Sequence, residues 1–166
     1  MNKLKEKSFL FWSIKEYALD ICDILNITCP IIKVVSNKET LATYYPSGNL
    51  IELSDTYTDD YDYAFAIAHE LRNVWQLKYK HADFASNGYI MYHERENDDE
   101  YYLQPLELDA NSFSFAINYV YLDIVPSGNA YSKKVMDVFK QKVNIMIKEI
   151  SNERCPKFEY KKTVLN

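Results

Sequence analysis

An α+β fold, a small sheet set among helices, follows from three features of the sequence. Apolar residues recur at intervals of three and four between Ser8 and Leu25, the spacing of a one-sided helix. β-branched residues crowd Ile31-Ile32-Lys33-Val34-Val35, ahead of a Pro46-Ser47-Gly48 turn signal. Long helical periods then resume after Asp59 and continue, with interruptions, to Ile150.

The elements follow in order. Phe11, Ile14, Tyr17, Ala18, Ile21, Cys22 and Leu25 form the apolar stripe of the first helix, which Pro30 interrupts. Ile31–Val35 has the density of a buried strand, and Leu41–Tyr45 and Asn49–Leu53 flank the Pro46–Gly48 turn as a hairpin. From Asp59 to Lys80, residues Ala64, Ile67, Ala68, Leu71, Val74 and Trp75 make the stripe of a second long helix. A further helix over 106–122 carries Phe113, Ala116, Ile117 and Val120, and another over 132–150 carries Val135, Val138, Phe139, Val143, Met146 and Ile150. Pro126-Ser127-Gly128-Asn129 separates the two.

At 166 residues the chain fits one domain, able to bury roughly 70% of the surface its unfolded form exposes. Within it we distinguish a helical region to residue 29, the sheet with two helices over 30–125, a C-terminal helix over 130–150, and a charged tail over 151–166. Fifteen tyrosines against three glycines favour packed surfaces over flexible linkers. A net charge of -5 with dispersed lysines argues against nucleic-acid binding and leaves proteins or peptides as the natural partners. No apolar run approaches membrane-spanning length, and Lys15 and Glu16 interrupt any signal-peptide core. Cys22, Cys29 and Cys155 are odd in number and lack Cys-x-x-Cys spacing, which favours reduced thiols and a cytoplasmic location. Cys22, on an apolar helix face, reads as a small core residue. The acidic run Glu94–Glu100 reads as a solvated connection, with a lid over the second long helix as the sharper alternative.

The chemistry concentrates in Ala68-His69-Glu70-Leu71-Arg72-Asn73-Val74-Trp75-Gln76. The zinc-peptidase motif His-Glu-x-x-His places two imidazoles four residues apart on one helix face to hold the metal, with the glutamate as general base. Here His69 and Glu70 are present, and Asn73 stands where the second imidazole belongs. An amide oxygen is a weak zinc ligand beside imidazole, thiolate or carboxylate. A third ligand is expected from Glu107, because Ala110 three residues later lets its helix approach a neighbour closely while the longer carboxylate reaches out. Asp109 is the reserve.

The order of elements, the His69-Glu70-Leu71-Arg72-Asn73 segment and the later Glu107-Leu108-Asp109-Ala110-Asn111, which fits a Glu-x-x-Ala-Asn/Asp pattern, together resemble minimal zincin metallopeptidases of the ImmA/IrrE-like and phage-associated kinds. The resemblance covers roughly residues 30 to 120. It implies a zincin-like fold in which His69 matches the first zinc ligand, Glu70 the catalytic general base or acid, and Glu107 the third ligand. Asn73 departs from the second. A working site would take its missing donor from the Asn73 oxygen, Asp109, or the imidazole of His81 or His93, and Tyr101 or Tyr102 could donate to an oxyanion, although packing is the competing role for both tyrosines. Three readings stay open: a degenerate, inactive zinc site on a peptidase scaffold; an active zinc peptidase with an unusual second ligand; and a non-catalytic protein-binding module.

Overall fold

The computed structural model describes residues 3–36, 40–56, 60–79, 96–124 and 131–154. The architecture is α+β: among the described residues, helices α1 (Lys3–Leu25), α2 (Asp60–Tyr79), α3 (Asp98–Tyr102), α4 (Pro105–Leu122) and α5 (Lys133–Arg154), with strands β1 (Ile31–Val35), β2 (Ala42–Tyr45) and β3 (Leu50–Ser54) between α1 and α2. The chain divides into two compact units, Met1–Trp75 and Gln76–Asn166, the division falling within α2.

In the first unit, Ile14, Tyr17, Ala18, Ile21, Cys22 and Leu25 of α1 are all buried, as the periodicity requires. The helix ends before Pro30 is reached. Asn26 takes a left-handed conformation (φ 51°), its N–H donates to the Asp23 carbonyl at 3.2 Å, and the Ile27 N–H donates to the Cys22 carbonyl at 3.0 Å. These are the two bonds of a Schellman ending, which satisfies carbonyls that the last turn leaves open.

The sheet has the order β1-β3-β2, with β1 parallel and β2 antiparallel to the central β3. Ile32 pairs with Ile51 and Val34 with Leu53, and Ile32, Ile51 and Leu53 are buried on that face. The expectation of a buried first strand is corrected: among the described residues β1 lies at a sheet edge, with Ile31 59% and Val34 41% exposed. An edge strand has one neighbour, so β-branched composition reports strand propensity here and not depth. The hairpin forms as expected, through a 3-10 turn over Pro46–Gly48. Its left-handed residue is Asn49 (φ 43°), whose side-chain oxygen accepts from the Tyr44 hydroxyl at 3.1 Å. Asparagine tolerates this backbone region where most residues do not. In α2, Ala64, Ile67, Ala68, Leu71 and Val74 are buried.

In the second unit, α4 packs along α5. Every residue from Ala110 to Val120 is buried, well beyond the four-residue stripe read from the sequence. The buried stripe of α5 is Val135, Phe139, Val143, Met146, Ile147 and Ile150. Val138 is 36% exposed, and Ile147 takes its place in the core. On a 3.6-residue helix position 138 falls at the margin of the arc centred on 139, 143 and 146, whereas 147 falls within it. The helix also continues to Arg154, one turn into the segment expected as tail. Residues 96–102 form an unanticipated element: the Asn97 side chain caps α3 by accepting from the Glu100 N–H at 2.9 Å, and the Glu100 carboxylate accepts from the Glu96 N–H at 3.2 Å. Three carboxylates in the first turn of α3 suit the positive end of the helix dipole, so the acidic run is in part a helix start. The remainder of that run, the Pro126–Asn129 turn, His81, His93 and Cys155 lie outside the described residues.

Candidate functional site on the second long helix

His69, Glu70 and Asn73 stand on α2, the asparagine four positions after the histidine, so these two share one face. Ala68 and Leu71 on the opposite side are fully buried, while His69, Glu70 and Asn73 are half-buried. The apolar stripe thus anchors the helix and leaves the polar face partly accessible. Three residues beyond Glu70, the Asn73 Nδ2 donates to the Glu70 Oε2 at 3.4 Å. The residue in the place of the missing imidazole therefore engages the carboxylate that the resemblance makes the general base. On the same helix the Arg72 guanidinium lies 3.8 Å over the centre of the Trp75 ring, a cation–π contact that fixes both side chains.

Glu107 lies in the first turn of α4 and is 5% exposed, a burial that carboxylates seldom reach without compensating partners. Its neighbour Asp109 is committed on both oxygens. Oδ2 accepts from Gln76 Nε2 at 2.8 Å, and Oδ1 faces Lys142 Nζ at 3.4 Å. Gln76, itself 2% exposed, donates a second bond to the Leu106 carbonyl at 3.2 Å. Asp109, the reserve ligand of the sequence reading, thus ties the start of α4 to Gln76 and α5.

Tyr101 and Tyr102 meet edge-on at 5.3 Å between ring centres, and Tyr102 continues through Tyr131 (4.9 Å) to Phe139 (5.1 Å from Tyr131) and Phe115. Both tyrosines raised as oxyanion donors are part of an aromatic cluster, in favour of the packing role.

Among the described residues no three His, Cys, Asp or Glu side chains gather into a group that could hold a metal ion. The amide at 73 both lacks the imidazole's donor strength and turns its nitrogen to Glu70. His81 and His93, the alternative imidazoles, are not among the described residues. The Gln76–Asp109–Lys142 set escapes sequence reasoning because its members are separated by 33 residues each and follow no spacing rule. No helix among the described residues is long and apolar enough to cross a membrane. Comparison with protein-family models, with curated proteins and with solved structures found no match.

Proposed function

We propose that this chain is a zincin-like protein whose zinc site is degenerate and hydrolytically silent, a peptidase scaffold that works in the cytoplasm by binding a protein or peptide. The observation that carries this reading is the Asn73 to Glu70 hydrogen bond: the side chain at the second-ligand position is a neutral amide that donates to the would-be base. Changes outside the ligand shell alone typically cost roughly 10 to 100-fold in metal affinity or activity, so exchanging a ligating imidazole for an amide costs at least as much. Loss of catalysis with retention of a binding surface is compatible with one scaffold, since function resides in sites and not in folds.

A second reading, an active zinc peptidase completed by another donor, draws on the burial of the Glu107 carboxyl, at the position that the resemblance assigns to the third ligand. Metal content separates the two. The chain is purified without chelators and titrated with zinc beside an Asn73→His variant. Zinc retained by the variant alone supports the silent scaffold, whereas near-stoichiometric zinc in the unmodified chain overturns it in favour of the active enzyme. Failure of both to bind zinc removes the zincin reading altogether.

A further inference from the structure

One side of β1 pairs with β3 and the other is an open edge. At the start of the strand the Ile31 N–H donates to the Asn49 carbonyl at 2.8 Å, and at its end the Val35 carbonyl accepts from the Asp55 N–H at 3.0 Å. In a parallel ladder alternate residues bond the neighbouring strand, so Ile31, Lys33 and Val35 turn their main-chain groups to β3 and those of Ile32 and Val34 project the other way. Among the described residues no strand lies on that side. The N–H and C=O groups of Ile32 and Val34 are thus held in extended geometry, ready to template a further strand.

The side chains along this edge specify what fits it. On the face that carries Ile31 and Lys33, one cross-strand row runs Tyr45, Leu50, Ile31 and the next runs Thr43, Glu52, Lys33. The first row is apolar and ends at the exposed Ile31; the second passes from an acidic to a basic residue and ends at the exposed Lys33. On the opposite face the exposed Val34 continues the apolar row of Ala42 and Leu53. A second copy of the chain is a poor occupant. The two-fold antiparallel pairing that uses both Ile32 and Val34 sets Lys33 against Lys33, and like charges directly opposite one another are destabilising.

We propose that the open edge of β1 is a strand-addition site for an extended segment of a partner protein, one with an acidic residue opposite Lys33 and apolar residues opposite Val34 and Ile31. Run antiparallel, that segment reads apolar, acidic, any residue, apolar. Its residues opposite Ile32 and Val34 exchange main-chain hydrogen bonds with them, and those opposite Ile31 and Lys33 fall at non-hydrogen-bonded positions, where facing side chains are closer. The carboxylate extends the Glu52 and Lys33 row by one more opposite charge, and the last apolar residue covers Ile31. Main-chain bonds supply the affinity and the side-chain rows the selectivity. The site uses no residue of α2, so it stands or falls apart from the zinc reading.

The probe is the fluorescein-labelled peptide Thr-Val-Glu-Thr-Ile-Thr, amidated at its end and titrated with the full chain by fluorescence anisotropy. Saturable binding is expected, weaker by up to about fivefold when lysine replaces the glutamate, the scale of one cross-strand pair, and recovered for the lysine peptide in Lys33→Glu. N-methylation of the valine and the middle threonine, whose N–H groups face β1, should abolish binding, whereas N-methylation of the glutamate and isoleucine should not. Val34→Pro removes a donor from the open edge and leaves the bonds to β3, since proline is tolerated where an edge strand turns its N–H to solvent, and it should also abolish binding. No saturable binding of the glutamate peptide, equal affinity for the glutamate and lysine peptides, or indifference to which amides are methylated overturns the proposal. A chain that dimerises on sedimentation, with the dimer lost in Val34→Pro, overturns it in favour of a second copy. The methylated peptides are read on the unsubstituted chain, so they decide the matter even where Val34→Pro does not fold.

Discussion

Gln76 and Asp109, 33 residues apart, are joined by a 2.8 Å hydrogen bond in which a fully buried amide meets a carboxylate. Because Gln76 also donates to the Leu106 carbonyl, its removal strands two acceptors at once. Leaving an acceptor unsatisfied costs about 1–3 kcal/mol where it is buried, and both acceptors here are part-buried, which puts the loss toward the lower end. Lys142, one third exposed and 3.4 Å from the other Asp109 oxygen, makes a pair of the kind worth under about 1 kcal/mol. Gln76→Ala should therefore lower the urea midpoint clearly more than Lys142→Ala. Equal losses would mean that the carboxylate, and not the amide, organises the contact.

The Asn73 to Glu70 bond is at the long end of hydrogen-bond geometry, on a half-buried face. Asn73→Ala should change unfolding free energy by no more than about 1 kcal/mol, the net worth of a typical hydrogen bond. Denaturant unfolding of Asn73→Ala and Asn73→His checks this before either is used in metal titrations. A loss well beyond that would make Asn73 a structural residue of α2 and not merely a replaced ligand.

The parts of the fold that were legible in the sequence are those that depend on local spacing. The stripe Ile14, Tyr17, Ile21, Leu25 and the turn at Pro46 are written in neighbours a few residues apart, and the structure carries both. What escaped depends on distant partners. The parallel pairing of Ile32 with Ile51 and the edge position of β1 are set by which strand lies alongside, and no pattern within Ile31–Val35 encodes it. The depth of α4 likewise exceeds its periodicity, since Ser112, Ser114 and Asn118 are buried although polar. For the site, the spacing of His69, Glu70 and Asn73 was plain, while the partners of Asp109 were not, because Gln76 and Lys142 reach it only through tertiary packing.

Asn49 combines a left-handed backbone with a side-chain acceptor for Tyr44. Asn49→Gly removes only the side-chain acceptor, whereas Asn49→Ala removes the acceptor together with the polar side chain that lets asparagine tolerate a left-handed backbone, a conformation costing ordinary residues roughly 1–2 kcal/mol. Thermal unfolding should rank the native chain above Asn49→Gly and Asn49→Gly above Asn49→Ala. The reverse order of the two variants would show that the backbone conformation at 49 carries no cost in this hairpin.

Asn97 caps α3 through the Glu100 N–H, and loss of such a cap costs typically about 1 kcal/mol. With only five residues in α3, that loss is large relative to the helix's own stability. Amide exchange at Glu100 and Tyr101 should accelerate in Asn97→Ala and remain near native in Asn97→Asp, which keeps the acceptor. Acceleration in both would place the cap's contribution elsewhere than in the side-chain oxygen.

Burial raises the hydroxyl pKa of Tyr44 and of Tyr63, the latter helped by the charge of Asp55. Each phenol is thus harder to ionise in the folded chain than in the unfolded one, whose tyrosines titrate near 10. The sign follows from linkage: the stability associated with the neutral phenols is fully present below the unfolded value and is lost as pH rises through it toward the folded one. Unfolding free energy should fall above about pH 10. Tyr63→Phe, which keeps the ring and removes the ionisable group, should make that alkaline loss shallower, with Tyr44→Phe adding to the effect. Spectrophotometric titration at the tyrosinate band, paired with denaturant unfolding at each pH, measures both sides of the linkage. An alkaline slope unchanged in the double variant would assign the loss to other groups.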